Sequence, residues 1–122
     1  MIQVTNLTKR YNLGTMVLNM PSLEIPKGQS FGLVGNNGAG KTTFFSLLLD
    51  LIQPSSGHIK NNDVQVDKSE AWKPFTSAFI DESLLIGYLT AEEYFYFIGD
   101  LRGQNKADVD VLLKKHEEFF NG

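Results

Sequence analysis

The stretch GNNGAGKTT, residues 35–43, decides the fold of this chain. It contains the pattern G-x-x-x-x-G-K-[ST], in which glycines let backbone N–H groups turn inward and approach oxygen atoms. The compact apolar segment before it, Gln29 to Val34, predicts a strand that is covered on both faces. The segment after it, Lys41 to Ile52, predicts a helix with apolar residues nearly all round. Together these features predict an α/β chain of the P-loop NTPase class.

The same loop predicts a site for the phosphates of ATP. Backbone amides and the helix amino terminus offer hydrogen-bond donors and a partial positive charge. Lys41 can reach the β- and γ-phosphates, and the Thr42 hydroxyl can ligate a Mg²⁺ that bridges them. The alternative is a glycine-rich strand-to-helix turn with a surface lysine. The predicted nucleotide-binding residues of the loop are Gly35, Asn36, Asn37, Gly38, Ala39, Gly40, Lys41, Thr42 and Thr43.

Strands are predicted on both sides of this loop. Ile2 and Val4 alternate with polar residues, which indicates a short strand. The segment from Val17 to Ile25 is extended, and its Pro21 favours an edge position or a bulge. His58 to Val66 predicts a hairpin, whose tip at residues 61–63 (NND) tolerates left-handed backbone angles.

The last third of the chain predicts one more strand and then helices. Phe75 to Ile80 is the predicted strand. Thr90 is a predicted helix N-cap, with Glu93 completing a capping box, and that helix should end near Leu101. A final helix is expected from Asn105 or Lys106. Its predicted apolar face comprises Val109, Leu112, Leu113, His116 and Phe120.

The composition excludes several classes of protein. With 42% hydrophobic and 20% charged residues, the 122-residue chain is globular rather than disordered. Its net charge of −3 provides no general basic field for nucleic acid. It has no cysteine, and therefore no disulfide framework or thiolate metal site. No apolar run approaches the ~20 residues that cross a bilayer, and we expect no signal peptide. Any link to a membrane is therefore expected to run through a partner.

Beyond the loop, the chain resembles the ATP-binding subunit of ABC transporters. The matching segments agree in order and spacing over nearly the whole chain. Besides the loop ending NGAGKTT, they are LTKRY (7–11), LEIPKG (23–28), LIQPSSG (51–57) and LTAEE (89–93). The resemblance implies an antiparallel β-subdomain and P-loop core over residues 1–80, followed from residue 81 to 122 by a loop and the start of a helical subdomain.

The resemblance also implies a function. The intact subunit would hydrolyse ATP and couple its binding and hydrolysis to transport through a membrane-spanning permease. It would pair with a second ATP-binding subunit and lie in the cytoplasm, at the membrane face. The alternatives are an ABC-type ATPase that acts on chromosomes or ribosomes without a membrane partner, or a module that only binds nucleotide.

Two residues outside the loop receive roles from the resemblance. Tyr11 occupies the position of an aromatic residue that stacks on adenine, and a ring face binds a base with little hydrogen-bond discrimination. The alternative is a turn tyrosine packed on the first sheet. Asp81 stands where the family usually has a glutamine that helps to hold Mg²⁺ and the attacking water. It is a candidate catalytic residue with Lys41 and a candidate metal ligand with Thr42, or simply part of a solvated acidic loop.

Other expected elements of the family are missing after Glu93. We find no signature motif, no Walker B strand with its catalytic glutamate and no switch histidine. The sequence is therefore expected to be the N-terminal half of a subunit, which alone binds ATP weakly, if at all, and does not hydrolyse it. Two aromatic features have two interpretations each. YFYF (94–97) could pack in the core or meet a partner, and Trp72 could meet that partner or cover the hairpin.

Overall fold

The computed structural model describes residues 1–36, 38 and 40–120, without the side chain of Phe120. The chain divides into two compact units, Met1–Ile80 and a second that begins at Asp81. The first unit holds a β-sheet and one helix, and the second holds helices.

The first unit is built on a four-stranded antiparallel sheet with the strand order β2-β1-β3-β4. The strand β2 lies at one edge of this sheet, which is the edge position that Pro21 predicted. The strands are β1 (Ile2–Arg10), β2 (Met16–Ile25), β3 (Ser56–Asn61) and β4 (Val64–Gln65).

A local irregularity keeps the core side of β1 apolar. Val4 and Leu7 are both buried although they are three residues apart, whereas a regular strand returns to the same face every second residue. The additional residue is accommodated near Asn6, which has a φ of 47°, and the register of β1 against β3 shifts between Thr5 and Thr8. Gly57 lies opposite this β-bulge, where an ideal Cβ would be only 2.1 Å from the Asn6 carbonyl oxygen.

The predicted hairpin after the helix is confirmed. Asn62 and Asp63 connect β3 to β4 with φ values of 47° and 64°, the left-handed angles that a two-residue turn of this kind requires. Trp72 covers the hairpin, because it is only 4% exposed and its indole N–H donates to the Val66 carbonyl over 3.1 Å. The packing interpretation of Trp72 is therefore correct.

The helix α1 (Lys41–Leu48) packs one face against the sheet. Phe44 and Leu47 are buried and join a core with five other buried residues: Val4, Leu7, Ile59, Val66 and Trp72. The expectation that this helix extends to Ile52 and is buried nearly all round is wrong. It ends at Leu48 because Asp50 adopts a left-handed φ of 55°, and Leu51 is 60% exposed.

Two other predicted strands, Gln29 to Val34 and Phe75 to Ile80, do not belong to a sheet. Residues 29–36 and 76–80 contain no described strand, and Phe75 ends a 3₁₀ turn, Lys73–Phe75. An extended segment becomes a strand only when a neighbour completes its hydrogen-bond ladder, and the described residues provide no such neighbour here. Val34 is accordingly 95% exposed rather than covered on both faces. The strand predicted before the loop is thus corrected to an extended segment without ladder partners.

The second unit begins with a 3₁₀ turn, Glu82–Leu84, and continues with α2 (Ala91–Leu101), α3 (Lys106–Lys115) and α4 (Glu117–Phe120). The predicted capping box of Thr90 and Glu93 is confirmed at the start of α2. Gly99 and Val109 are buried where α2 meets α3, and a Cβ on Gly99 would lie 2.5 Å from Val109 Cγ2. The predicted apolar face of α3 is only partly buried, since Leu112 remains exposed.

Candidate nucleotide-binding site

The start of α1 carries the predicted phosphate site. Gly40 is its N-cap residue and has a left-handed backbone, with φ at 94°. An ideal Cβ at Gly40 would lie 2.7 Å from the Val17 carbonyl oxygen, so glycine is required by backbone angle and by space. Among the described residues no side chain caps this helix, and no acidic residue stands in its first turn. The amino terminus of α1 therefore remains available to an anion.

Lys41 brings a positive charge to the same place. Its ammonium group donates to the Gly35 carbonyl oxygen and, over 3.3 Å, to the Asn36 carbonyl oxygen. The Lys41 side chain therefore points back toward the start of the loop. Neutral carbonyls are weaker partners for an ammonium group than phosphate oxygens are. A phosphate at this position could therefore replace them.

The two threonines after Lys41 differ in exposure. Thr42 is exposed and Thr43 is half-buried. Lys41 and Thr42 also line an open cleft of about 520 Å³, together with residues 76–80. The other residues that line the cleft are mostly apolar.

Two of the predicted loop residues, Asn37 and Ala39, lie outside the residues that the structure describes. Their assignment remains a prediction from the sequence pattern. Gly35, Asn36 and Gly38 are described and exposed, so they lie at the surface beside the start of α1.

Tyr11 lies at the end of the sheet that adjoins this helix start. It follows β1 directly, and the connection of residues 11–15 leads into β2, whose Val17 carbonyl faces Gly40. Tyr11 is 49% exposed, so part of its side chain remains open to a ligand. Its position is compatible with stacking on a base.

The Lys9 side chain was not among the residues that the sequence singled out. Its ammonium nitrogen lies 5.1 Å from the centroid of the Tyr11 ring, a cation–π distance. No local pattern pointed to this contact, because Tyr11 lies beyond the end of β1 and the pairing of β1 with β2 is irregular between Lys9 and Arg10. Lys9 therefore contacts a predicted ligand-binding residue without belonging to the loop.

Asp81 has a local structural partner. Its Oδ1 accepts a hydrogen bond of 2.8 Å from the Ser83 backbone N–H, which caps the 3₁₀ turn that follows. Asp81 belongs to the second unit, so the structure describes this carboxylate only within that unit. Within the described part of the chain, no group of three or more acidic or histidine side chains could hold a metal.

Comparisons with known proteins place the chain in a family. A family model described as ABC transporter matches residues 18–120. The glucosylceramide transporter ABCA12 of Mus musculus is 36% identical over 120 residues, which cover 94% of this chain and 5% of that protein. The phosphonates import ATP-binding protein PhnC of Wolinella succinogenes is 49% identical over 59 residues, covering 48% of this chain and 22% of that protein.

A solved structure supports the fold. The ATP-binding subunit of an ABC transporter superposes with a TM-score of 0.72 at 29% identity, over 87% of this chain and 44% of that chain. The predicted fold class, an antiparallel β-subdomain with part of a P-loop NTPase core, is confirmed at this level. The chain spans less than half of the solved subunit that it matches and smaller shares of the two relatives.

Proposed function

This chain belongs to the ABC transporter family, and from that membership we propose that it binds the phosphates of ATP at residues 35–43. The single observation that carries the proposal is the start of α1. There, the described residues combine an uncapped helix amino terminus with the Lys41 ammonium group. Unpaired N–H groups and a mobile cation are what a terminal phosphate needs.

The phosphate-binding step is an exchange of partners for Lys41. Without an anion, its ammonium group donates to the carbonyls of Gly35 and Asn36. An ATP phosphate in the loop would take over this ammonium group and accept from the amides at the start of α1. Because the phosphate is ionised, the hydrogen bonds that it accepts from the backbone amides are charge-assisted and roughly twice as strong as neutral ones. Asn37 and Ala39 are included in the proposed site on the sequence pattern alone.

The donor set also fits Mg²⁺. The Thr42 hydroxyl is a hard oxygen donor, is exposed, and directly follows Lys41. Mg²⁺ usually keeps several waters and binds one or two protein oxygens together with substrate phosphates, so a single hydroxyl is a suitable contribution. When bound, the ion would neutralise charge on the phosphates. Asp81 is proposed as a second ligand from the sequence alone, because it stands where the family usually has a glutamine.

Tyr11 is proposed to bind the adenine base. Its half-exposed ring lies at the sheet end beside Gly40, and a ring face offers affinity for a base through stacking. Phosphates at the start of α1 and a base at Tyr11 would place the nucleotide along one edge of the first unit.

The activity of the whole protein follows as a further part of the proposal. We propose that it hydrolyses ATP and couples hydrolysis to transport through a membrane-spanning permease, with a second ATP-binding subunit in the assembly. None of the helices over the described residues is long and apolar enough to cross a bilayer. We also propose a position at the cytoplasmic face of the membrane. No nucleic-acid partner is expected, given the net charge of −3.

The proposal is tested by measuring ATP affinity of the full chain by calorimetry or by competition with a fluorescent ATP analogue. Lys41→Ala should weaken ATP binding by about 10- to 100-fold, the range for losing hydrogen bonds to a charged partner. Lys27→Ala removes an exposed lysine from a turn outside the loop and serves as the matched control. Equal affinities of the Lys41→Ala variant and the unmodified chain would contradict the proposal.

A further inference from the structure

We propose that Lys9 is a positioning residue for the adenine base, acting through the ring of Tyr11. The proposal rests on the nucleotide site proposed above. It adds Lys9 to that site and specifies the face of the Tyr11 ring on which the base would stack. It follows from two contacts of a single ammonium group, neither of which involves residues 35–43.

The first contact fixes the ammonium group. Lys9 Nζ donates a hydrogen bond of 2.6 Å to the Gln53 backbone carbonyl. Gln53 is itself held by its side-chain amide, which donates to Asp50 Oδ1 over 2.8 Å, and Asp50 has the left-handed backbone just beyond the end of α1. The cation is thus tied to the segment that leaves the helix.

The second contact places that cation beside an aromatic ring. Lys9 Nζ lies 5.1 Å from the centroid of Tyr11, within the range of an attractive cation–π interaction. Because the ammonium group is held by Gln53 as well, it restricts the orientations that the Tyr11 ring can adopt. The ring nevertheless remains 49% exposed, so surface is left for a ligand.

These contacts give the two faces of the ring different roles. The face toward Lys9 is covered by the cation, and a base would stack on the opposite face. The π faces of two aromatic systems both carry negative charge and repel each other when they are stacked directly. A cation on the far side draws π density away from the stacking face, which weakens this repulsion. A ring held in advance also loses less rotational freedom when the base binds.

The test compares two ligands that share phosphates and differ in the base. ATP and inorganic tripolyphosphate are each titrated into the full chain and into its Lys9→Met and Lys9→Arg variants. Methionine keeps an unbranched side chain and removes the charge, whereas arginine keeps the charge and can donate to the Gln53 carbonyl. We expect Lys9→Met to weaken ATP binding by about 2- to 5-fold, the range of one cation–π contact at an exposed site. Tripolyphosphate binding should not change, and Lys9→Arg should restore most of the ATP affinity.

A double-mutant cycle separates this role from general structure. In a Tyr11→Ala background, Lys9→Met should have no further effect on ATP binding, because the ring through which it acts is absent. Equal losses for ATP and tripolyphosphate, or an undiminished loss in the Tyr11→Ala background, would overturn the role of Lys9. If the unmodified chain binds ATP and tripolyphosphate and the Lys9→Met variant binds ATP equally well, the role of Lys9 is overturned and the proposed function is not. A chain that binds neither ligand overturns the proposed function as well.

Discussion

The starts of α1 and α2 solve the same problem in opposite ways. Every helix begins with backbone N–H groups that have no partner inside the helix. At α2, the Thr90 hydroxyl accepts from the Glu93 amide over 3.2 Å, and the Glu93 carboxylate accepts from the Thr90 amide over 2.8 Å. At α1, the N-cap is Gly40, which has no side chain to offer, and no acidic residue follows in the first turn.

The start of α3 has a capping box as well, like the start of α2. Asn105 and Asp108 form a second capping box, with distances of 2.9 and 3.0 Å. A capping side chain typically adds about 1 kcal/mol of stability. Of these three helices, α1 lacks a capping side chain, and α1 is the helix that follows the glycine-rich loop. The N–H groups at the start of α1 therefore remain open to a ligand, whereas those at the starts of α2 and α3 are occupied by side chains.

The largest expected effect comes from giving Gly40 a side chain. Gly40→Ala should lower the free energy of unfolding by more than about 2 kcal/mol, since a left-handed alanine is strained and its Cβ would meet the Val17 carbonyl. Urea unfolding followed by circular dichroism measures this change. Gly32→Ala is the matched control, because a Cβ there meets nothing within 4 Å. Similar stability of the two variants would contradict the stated role of Gly40.

A second prediction gives α1 an acidic residue at its third helical position, where α2 has Glu93 and α3 has Asp108. Thr43 occupies the third helical position, as Glu93 does in α2. Thr43→Glu should weaken ATP binding by about tenfold, because a carboxylate would repel the phosphate and compete for the same N–H groups. The helix itself should gain roughly 0.3–1 kcal/mol from the charge at its amino terminus. Calorimetric titration with ATP measures the first effect and urea unfolding the second.

Thr43→Gln provides the neutral control for that exchange. Glutamine removes the same hydroxyl and adds a similar volume without the charge. If it weakens ATP binding as much as glutamate does, then charge at the start of α1 is not the cause.

A third prediction removes the side-chain cap of α2. Thr90→Ala removes the hydroxyl that accepts from the Glu93 amide and should destabilise the second unit by about 1 kcal/mol. ATP affinity should stay the same, since this cap belongs to a helix without a proposed ligand. Thr90→Ser keeps an accepting hydroxyl and should lose much less stability in the same urea experiment. A loss of ATP affinity in Thr90→Ala would show that the two helix starts are not independent.

The smallest effect concerns the side chains that join the two capped helices. The Tyr96 hydroxyl donates a hydrogen bond to Asp110, and this bond raises the pKa of Tyr96 above its ordinary value of 10.0. A raised folded-state pKa means that the stabilisation is present below the pKa of the unfolded chain and is lost as the pH rises through the folded value. Alkaline titration of tyrosinate absorbance, compared with Tyr96→Phe, isolates this group. Asp110→Asn should bring its pKa down toward the ordinary value, and an unaltered titration would contradict the assignment.

Features that depend on adjacent residues could be predicted from the sequence. The capping box of Thr90 and Glu93 needs only two side chains and the backbone between them, and it is present. The hairpin tip at Asn62 and Asp63 likewise depends on residues that tolerate left-handed angles. The start of α1 at Lys41 follows from the glycine that precedes it. The loop pattern also indicated the family, which the comparisons confirm.

Features that depend on distant neighbours were predicted less well. The apolar segment Gln29 to Val34 has the composition of a buried strand, but a strand also needs a ladder partner, and composition does not state where that partner comes from. The end of α1 was placed too late because Leu51 and Ile52 continue the apolar pattern, whereas the backbone turns at Asp50. The contact of Lys9 with Gln53 joins residues 44 positions apart, and no local pattern specifies it.

The irregularity in the first strand links three positions that are far apart in the sequence. At the level of Asn6, the edge strand changes its alternation as well: Met20 and Leu23 are half-buried, and Pro21 lies between them on the exposed side. The two strands therefore remain aligned with each other because both shift by one residue at the same level. Deleting Asn6 alone would leave Val4 and Leu7 two positions apart, and therefore on one face, but would put β1 out of register with β2. Deleting Asn6 and Pro21 together would preserve that register. In homologues we therefore expect these two positions to be gained or lost as a pair, with a side chain tolerated at position 57 only where both are missing.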